Sequence, residues 1–132
     1  MFTTPLVNLY TDDLDAALAF YRDLLGFVET FRAPDVGPAE HVELVLDGFT
    51  LGLGTVDAAR RVHGVDATPG APAMALALWT VDVDLAFERL TAAGAEVVQS
   101  PHDVGPSNRT ALLRDPDRNL VELVSKRAAR PS

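Results

Sequence analysis

Glu122 is the residue that most needs an explanation. It stands in "LLRDPDRNLVELV" (112–124), between Val121 and Leu123, in the second of two apolar runs joined by a polar turn. Alternating apolar runs of this kind read as strands with one face toward a core. A carboxylate there faces water, or it lines a cavity where it accepts a hydrogen bond, ligates a cation or takes up a proton. Other residues of chemical interest are Asn8, Tyr10, His41, Trp79 and Arg109, with His63 and His102 the remaining histidines. No nucleophile–base pair, phosphate-binding loop or dinucleotide fingerprint stands at recognisable spacing. The chain has no cysteine, which excludes disulfides and thiolate metal sites.

The elements that must position these residues come in two similar sets. "PLVNLY" (5–10) reads as a strand. "DDLDAALAFYRDLLG" (12–26) reads as a helix capped by Asp12 or Asp13 and stopped by Gly26. "FVETF" (27–31) is a further strand, and "HVELVLDGFTLGLG" (41–54) a hairpin turning at Asp47-Gly48. The order then restarts with "AMALALWT" (73–80), "DVDLAFERLTAAG" (82–94), "AEVVQ" (95–99) and a hairpin over 109–124 with a longer turn. Each half reads βαβββ, an internal repeat that bears on the whole fold. The Ala-, Gly- and Pro-rich stretch 55–72 reads as a linker between module one (5–54) and module two (73–125), with 126–132 a tail. The expected class is α+β, with each helix covering one sheet face and the curled mixed sheet leaving a concave cavity.

Strand alternation predicts what lines that cavity. Leu6, Asn8 and Tyr10 point inward from the first strand; His41, Glu43 and Val45 from the third; Thr50, Gly52 and Gly54 from the fourth. From the second half come Ala73, Ala75, Ala77 and Trp79, then Arg109, Ala111 and Leu113, then Leu120, Glu122 and Val124. Small residues beside one Trp leave volume and an aromatic surface for a planar ligand. Asn8, Tyr10, His41, Arg109 and Glu122 would orient it, and Glu122 would meet the ligand, Arg109 or water.

Composition narrows the partners. The 132 residues are 48% hydrophobic and 23% charged, with a net charge of −8. That balance fits one soluble domain and disfavours nucleic acid and anionic membranes. There is no apolar run long enough to span a bilayer and no basic, apolar leader at the N-terminus, so a cytoplasmic location is expected.

Three motifs, "DLDAALAFYRDLLGF" (13–27), "VDVDLAFERLTAAGAEVV" (81–98) and "DPDRNLVEL" (115–123), give the chain a resemblance to the vicinal oxygen chelate superfamily. This group includes glyoxalase I, extradiol dioxygenases, fosfomycin-resistance enzymes and bleomycin-resistance proteins. The resemblance implies the glyoxalase/bleomycin-resistance fold of paired βαβββ modules, and usually a homodimer. It also implies glycine where this chain has Arg118. Metal-dependent members hold a divalent ion through histidines in the first and fifth strands and a glutamate in the last. Carried over by position, these fall on Leu6, Ala75 and Glu122, with Gly52 at the site repeated from Glu122. Only Glu122 offers a donor atom. The expectation is therefore a metal-free binding protein of the bleomycin-resistance type, without cofactor. It would hold a bulky planar natural product in a cavity at a dimer interface, rimmed by 32–41 and 99–108 and touched by Trp79, Glu122, Asn8, Tyr10, His41, Arg109, Ala75 and Gly52. The alternatives are a lyase, isomerase or dioxygenase whose divergent metal site is rebuilt from His41, His63 or His102, a metal-free acid–base enzyme using Glu122, and a regulatory dimer with no ligand.

Overall fold

The structure is a computed structural model and describes residue 1, residues 3–71 and residues 74–128. Two compact units divide the chain, residues 1–69 and residues 70–132. Ala73, expected on the inward face, lies outside the described residues.

The first unit runs β1 (Val7–Thr11), α1 (Leu14–Leu18), β2 (Val28–Ala33), β3 (His41–Leu46), β4 (Phe49–Thr55) and α2 (Val56–His63). Its four strands lie in the order β1-β4-β3-β2, with β1 parallel to β4 and the other pairs antiparallel. The second unit runs β5 (Ala75–Trp79), α3 (Val83–Ala92), β6 (Glu96–Val104), β7 (Asn108–Arg114) and β8 (Leu120–Lys126). Its order is β5-β8-β7-β6, again with the outer pair β5 and β8 parallel. The repeat seen in the sequence is thus a repeat of topology, giving two four-stranded mixed sheets in an α+β fold.

Equivalent residues start the two helices that follow β1 and β5. Asp13 accepts from the Ala16 N–H at 3.1 Å and Asp82 from the Leu85 N–H at 3.1 Å, satisfying an amide that the first helical turn leaves open. Gly26 and Gly94, at φ +92° and +97°, turn the chain into the next strand in a left-handed conformation that a Cβ would penalise. Beyond Leu18 the first helix widens into a π-helical stretch, Ala19–Leu24, in which Leu25 N–H donates to Phe20 C=O. This stretch carries Phe20 and Tyr21 into the core, where Tyr21 meets Phe20 and Phe27 edge-on at 5.0 and 6.0 Å between ring centres.

Val42 and Leu44 of β3 and Leu51 and Leu53 of β4 are buried on the helix-covered side of the first sheet. Ala111 and Leu113 of β7 and Val121 and Leu123 of β8 do the same in the second, with Val83 and Leu90 of α3. Among the described residues no helix is long and apolar enough to cross a membrane.

Two segments differ from expectation. Residues 55–72 are not all linker, since their first part forms α2. Thr55 caps it, accepting from Ala58 N–H at 3.1 Å, and Gly64 closes it in a left-handed conformation. The Gly and Pro that gave the stretch its linker composition all lie after the helix. The stretch 99–108 is mostly strand, because β6 continues through two irregularities in its pairing with β7.

Candidate functional site

Opposite its buried leucines, the first sheet presents a face laid out in rows set by strand register. Asn8, Gly52 and Glu43 lie opposite one another across β1, β4 and β3, and Tyr10, Gly54 and His41 form the next row. Alternation had placed all six on this face. Above them is a pocket of about 390 Å³ whose floor includes Asn8, Tyr10, His41 and Gly54. Helix α2 supplies one wall through Ala58, Ala59, Val62 and His63, and the chain before β3 supplies another through Ala33, Pro34 and Glu40. Arg61 of α2 forms an ion pair with Glu40, tying the two walls together. Arg60 pairs with Asp66 at 3.0 Å, so the Arg60-Arg61 pair is exposed but not unpartnered.

Gly52 is the position where the repeat would put a second glutamate, and its lack of a side chain shapes the floor. A Cβ there would collide with the Asn8 side-chain oxygen and fall 3.1 Å from His41 Cε1. His41 Nε2 lies 3.0 Å from Glu43 Oε2. Glu43 was legible as an inward residue but not as the partner of His41, because residues two apart on a strand share a face without being obliged to touch.

The second sheet sets Ala77, Glu122 and Leu112 in one row and Trp79, Val124, Thr110 and His102 in the next. Trp79 is 63% exposed, with Lys126 Nζ 5.4 Å from its ring centre. Ala75 and Ala77 are exposed beside it and Glu122 is half-buried. His102 Nδ1 contacts Ser100 C=O at 2.9 Å.

Arg109, Ala111 and Leu113 do not share the face of Glu122. The pair Arg114–Leu120 leaves five residues, 115–119, in the second hairpin, against two, Asp47 and Gly48, inside the pair Leu46–Phe49 of the first. An odd connection reverses which alternate residues stand opposite one another, so the even-numbered residues of β7 accompany Glu122. Arg109 instead reaches Asp84 of α3 through two hydrogen bonds of 2.8 and 2.9 Å and Asp103 at 3.1 Å. Glu122 therefore does not pair with it. The long turn is held by Asp115, a buried carboxylate that accepts from the Asn119 backbone N–H at 2.7 Å and from its side-chain amide at 3.0 Å. Arg118, in the glycine position of the family motif, adopts the left-handed φ of +69° that glycine would take freely.

The Asp84–Arg109 contact gives a pH prediction. The guanidinium's hydrogen bonds, then its charge, hold the Asp84 carboxyl below the ordinary aspartate range. A carboxyl depressed in the folded state adds stability above its unfolded pKa and loses it as pH falls through the folded value. Arg109→Met should therefore flatten the loss of stability on acidification below about pH 4, read by urea unfolding at a series of pH values. A variant with the wild-type slope would rule out this coupling. The contact is partly exposed, so the effect is small.

The residues at the family's metal positions do not fit a divalent ion. Leu6, Gly52 and Ala75 have no donor side chain. Among the described residues no three His, Asp or Glu side chains converge as a cation site requires. His41 and Glu43 satisfy one another.

The glyoxalase/bleomycin resistance protein/dioxygenase superfamily model matches residues 4–123. The Mycobacterium bovis protein Mb0911c is 33% identical over 113 residues, covering 83% of this chain and 74% of that protein. The Staphylococcus aureus protein SA1046 superposes with a TM-score of 0.79 at 22% identity, over 95% of this chain and 94% of its own. TioX from Micromonospora sp. ML1 superposes with a TM-score of 0.73 at 28% identity, over 93% and 98%. With a match over nearly its whole length and the doubled βαβββ topology, the chain belongs to the glyoxalase/bleomycin resistance protein/dioxygenase superfamily.

Proposed function

We propose that this protein binds a small molecule without a metal, taking a planar or aromatic natural product of the kind that bleomycin-resistance proteins sequester. The observation that carries this reading is the pocket of about 390 Å³ on the first sheet, whose size lies in the range of small-ligand sites. Apolar walls from α2 would supply desolvation, and the few polar groups on the floor would supply orientation. The donor-poor residues at the family's metal positions favour holding over metal-assisted chemistry. Trp79 offers an exposed indole on the second sheet for stacking. A homodimer, with Trp79 and Glu122 facing the cavity that the two copies share, belongs to the same proposal.

The test is calorimetric titration of the metal-stripped chain with bleomycin, mitomycin and an anthraquinone. Saturable binding of at least one compound at micromolar concentration or tighter is expected, unchanged by chelator. In Trp79→Ala it should weaken roughly two- to tenfold, the value of one aromatic contact. Binding that appears only when zinc or manganese is added would overturn the metal-free reading.

A further inference from the structure

On the pocket-bearing face of the first sheet, polar groups from two strands meet over one gap. Asn8 fills the space above Gly52 from β1 and His41 flanks it from β3. Glu43 stands in the same row as Gly52, and its Oε2 lies 3.0 Å from His41 Nε2. His41 and Glu43 are both half-buried, at 32% and 28% side-chain exposure. A carboxylate only accepts hydrogen bonds, so the proton of a neutral His41 belongs on Nε2, and Nδ1 keeps its lone pair. His41 also lines the pocket, with Asn8 beside it and Tyr10 in its own row. An imidazole oriented by a carboxylate, open to a cavity and next to an amide that can donate, is the equipment of general-base chemistry.

We propose that Asn8, His41 and Glu43 form a proton-transfer centre acting on a planar carbon acid, a molecule with a C–H beside a carbonyl in a flat ring or conjugated system. His41 is the base, Glu43 its positioning residue, and Asn8 the donor to the oxygen that gains charge. The proposal rests on the reading that this pocket takes the ligand. His41 Nδ1 takes the proton as the C–H bond breaks. That electron pair forms the carbon–carbon double bond of the enolate, and the carbonyl pair moves onto oxygen, where the Asn8 amide N–H donates to it. Return of the proton to carbon restores the carbonyl and neutral imidazole, so the result is exchange or inversion at that carbon. No oxidant, reductant or co-reactant enters.

Nitrobenzisoxazole is a suitable probe, being small, flat and opened by removal of one ring proton. The C–H bond breaks, its pair completes a nitrile, and the N–O bond breaks to release a coloured phenolate. The full chain, stripped of metal, should open it with saturable kinetics above the buffer rate. His41→Ala should lower kcat roughly a hundredfold, within the usual worth of a general base, and added imidazole should restore part of it. Glu43→Gln should lower kcat on the order of tenfold with KM unchanged, since it acts only through His41. Glu88→Ala, an exposed α3 position that does not line the pocket, should match wild type. Probe binding is followed separately by NMR shifts of the Gly54 and Tyr10 amides. Binding there without turnover, or turnover unaffected by His41→Ala, overturns the proton-transfer centre and leaves the pocket reading intact. Loss in His63→Ala but not in His41→Ala likewise overturns the assignment. Neither binding nor turnover counts against both.

Discussion

Gly52→Ala is expected to weaken ligand binding in the first-unit pocket by tenfold or more while the fold survives. The position lies mid-strand between β1 and β3, and its φ is one that any residue adopts, so alanine adds no backbone strain. What it adds is a methyl group where the Asn8 side-chain oxygen now lies and 3.1 Å from His41 Cε1. Asn8 is exposed and short, so it can swing away, and the cost to stability is small. The pocket, however, loses the amide at its floor and has its imidazole pushed aside. Losing one hydrogen bond of about 1–1.5 kcal/mol costs about tenfold in affinity, and displacement of His41 would add to it. The measurement is the dissociation constant of whichever test compound binds, with a thermal scan of the same sample. Unchanged affinity in a folded variant would mean that the ligand does not rest on this floor.

Tyr21→Ala should cause the largest loss of stability. The side chain is fully buried and stands between Phe20 and Phe27 in two edge-on contacts. Truncating a buried aromatic to alanine costs about 3–5 kcal/mol, against a total of about 5–15 kcal/mol for a domain. The midpoint of thermal unfolding should fall by about 10 °C or more. Tyr21→Phe keeps the ring and should lose only about 1 kcal/mol for the hydroxyl. The comparison separates packing from hydrogen bonding by chemical denaturation. Near-equal losses in the two variants would show that the phenol oxygen, rather than the ring, holds the π-helical stretch in place.

The two predictions differ in kind because the first sheet has two unlike faces. One is packed by Leu51 and Leu53 against the helix side, and on the other Gly52 and Gly54 leave room for the Asn8 side chain and the pocket. The same alternation thus makes a core on one side and a floor on the other.

Much of this was legible in the amino-acid sequence. Hydrophobic period, Asp caps and Gly stops are local signals, and they specified each βαβββ half and its repetition, because helix ends and strand faces are set by neighbouring residues in the chain. The inward rows of β3 and β4 followed too, since a two-residue turn leaves no freedom in their register, and the inward residues of β1 followed from alternation alone. The tertiary structure alone decided three things. It set the face of Arg109, because a five-residue connection reverses the parity of the second hairpin and strand pairing is not visible within a single strand. It made a pocket wall of α2, whose Thr55 cap and Arg61–Glu40 tie act across a segment that its average composition marks as linker. And it joined Asn8, His41 and Glu43 over Gly52, because the absence of a side chain becomes a site only when other strands bring theirs into the space.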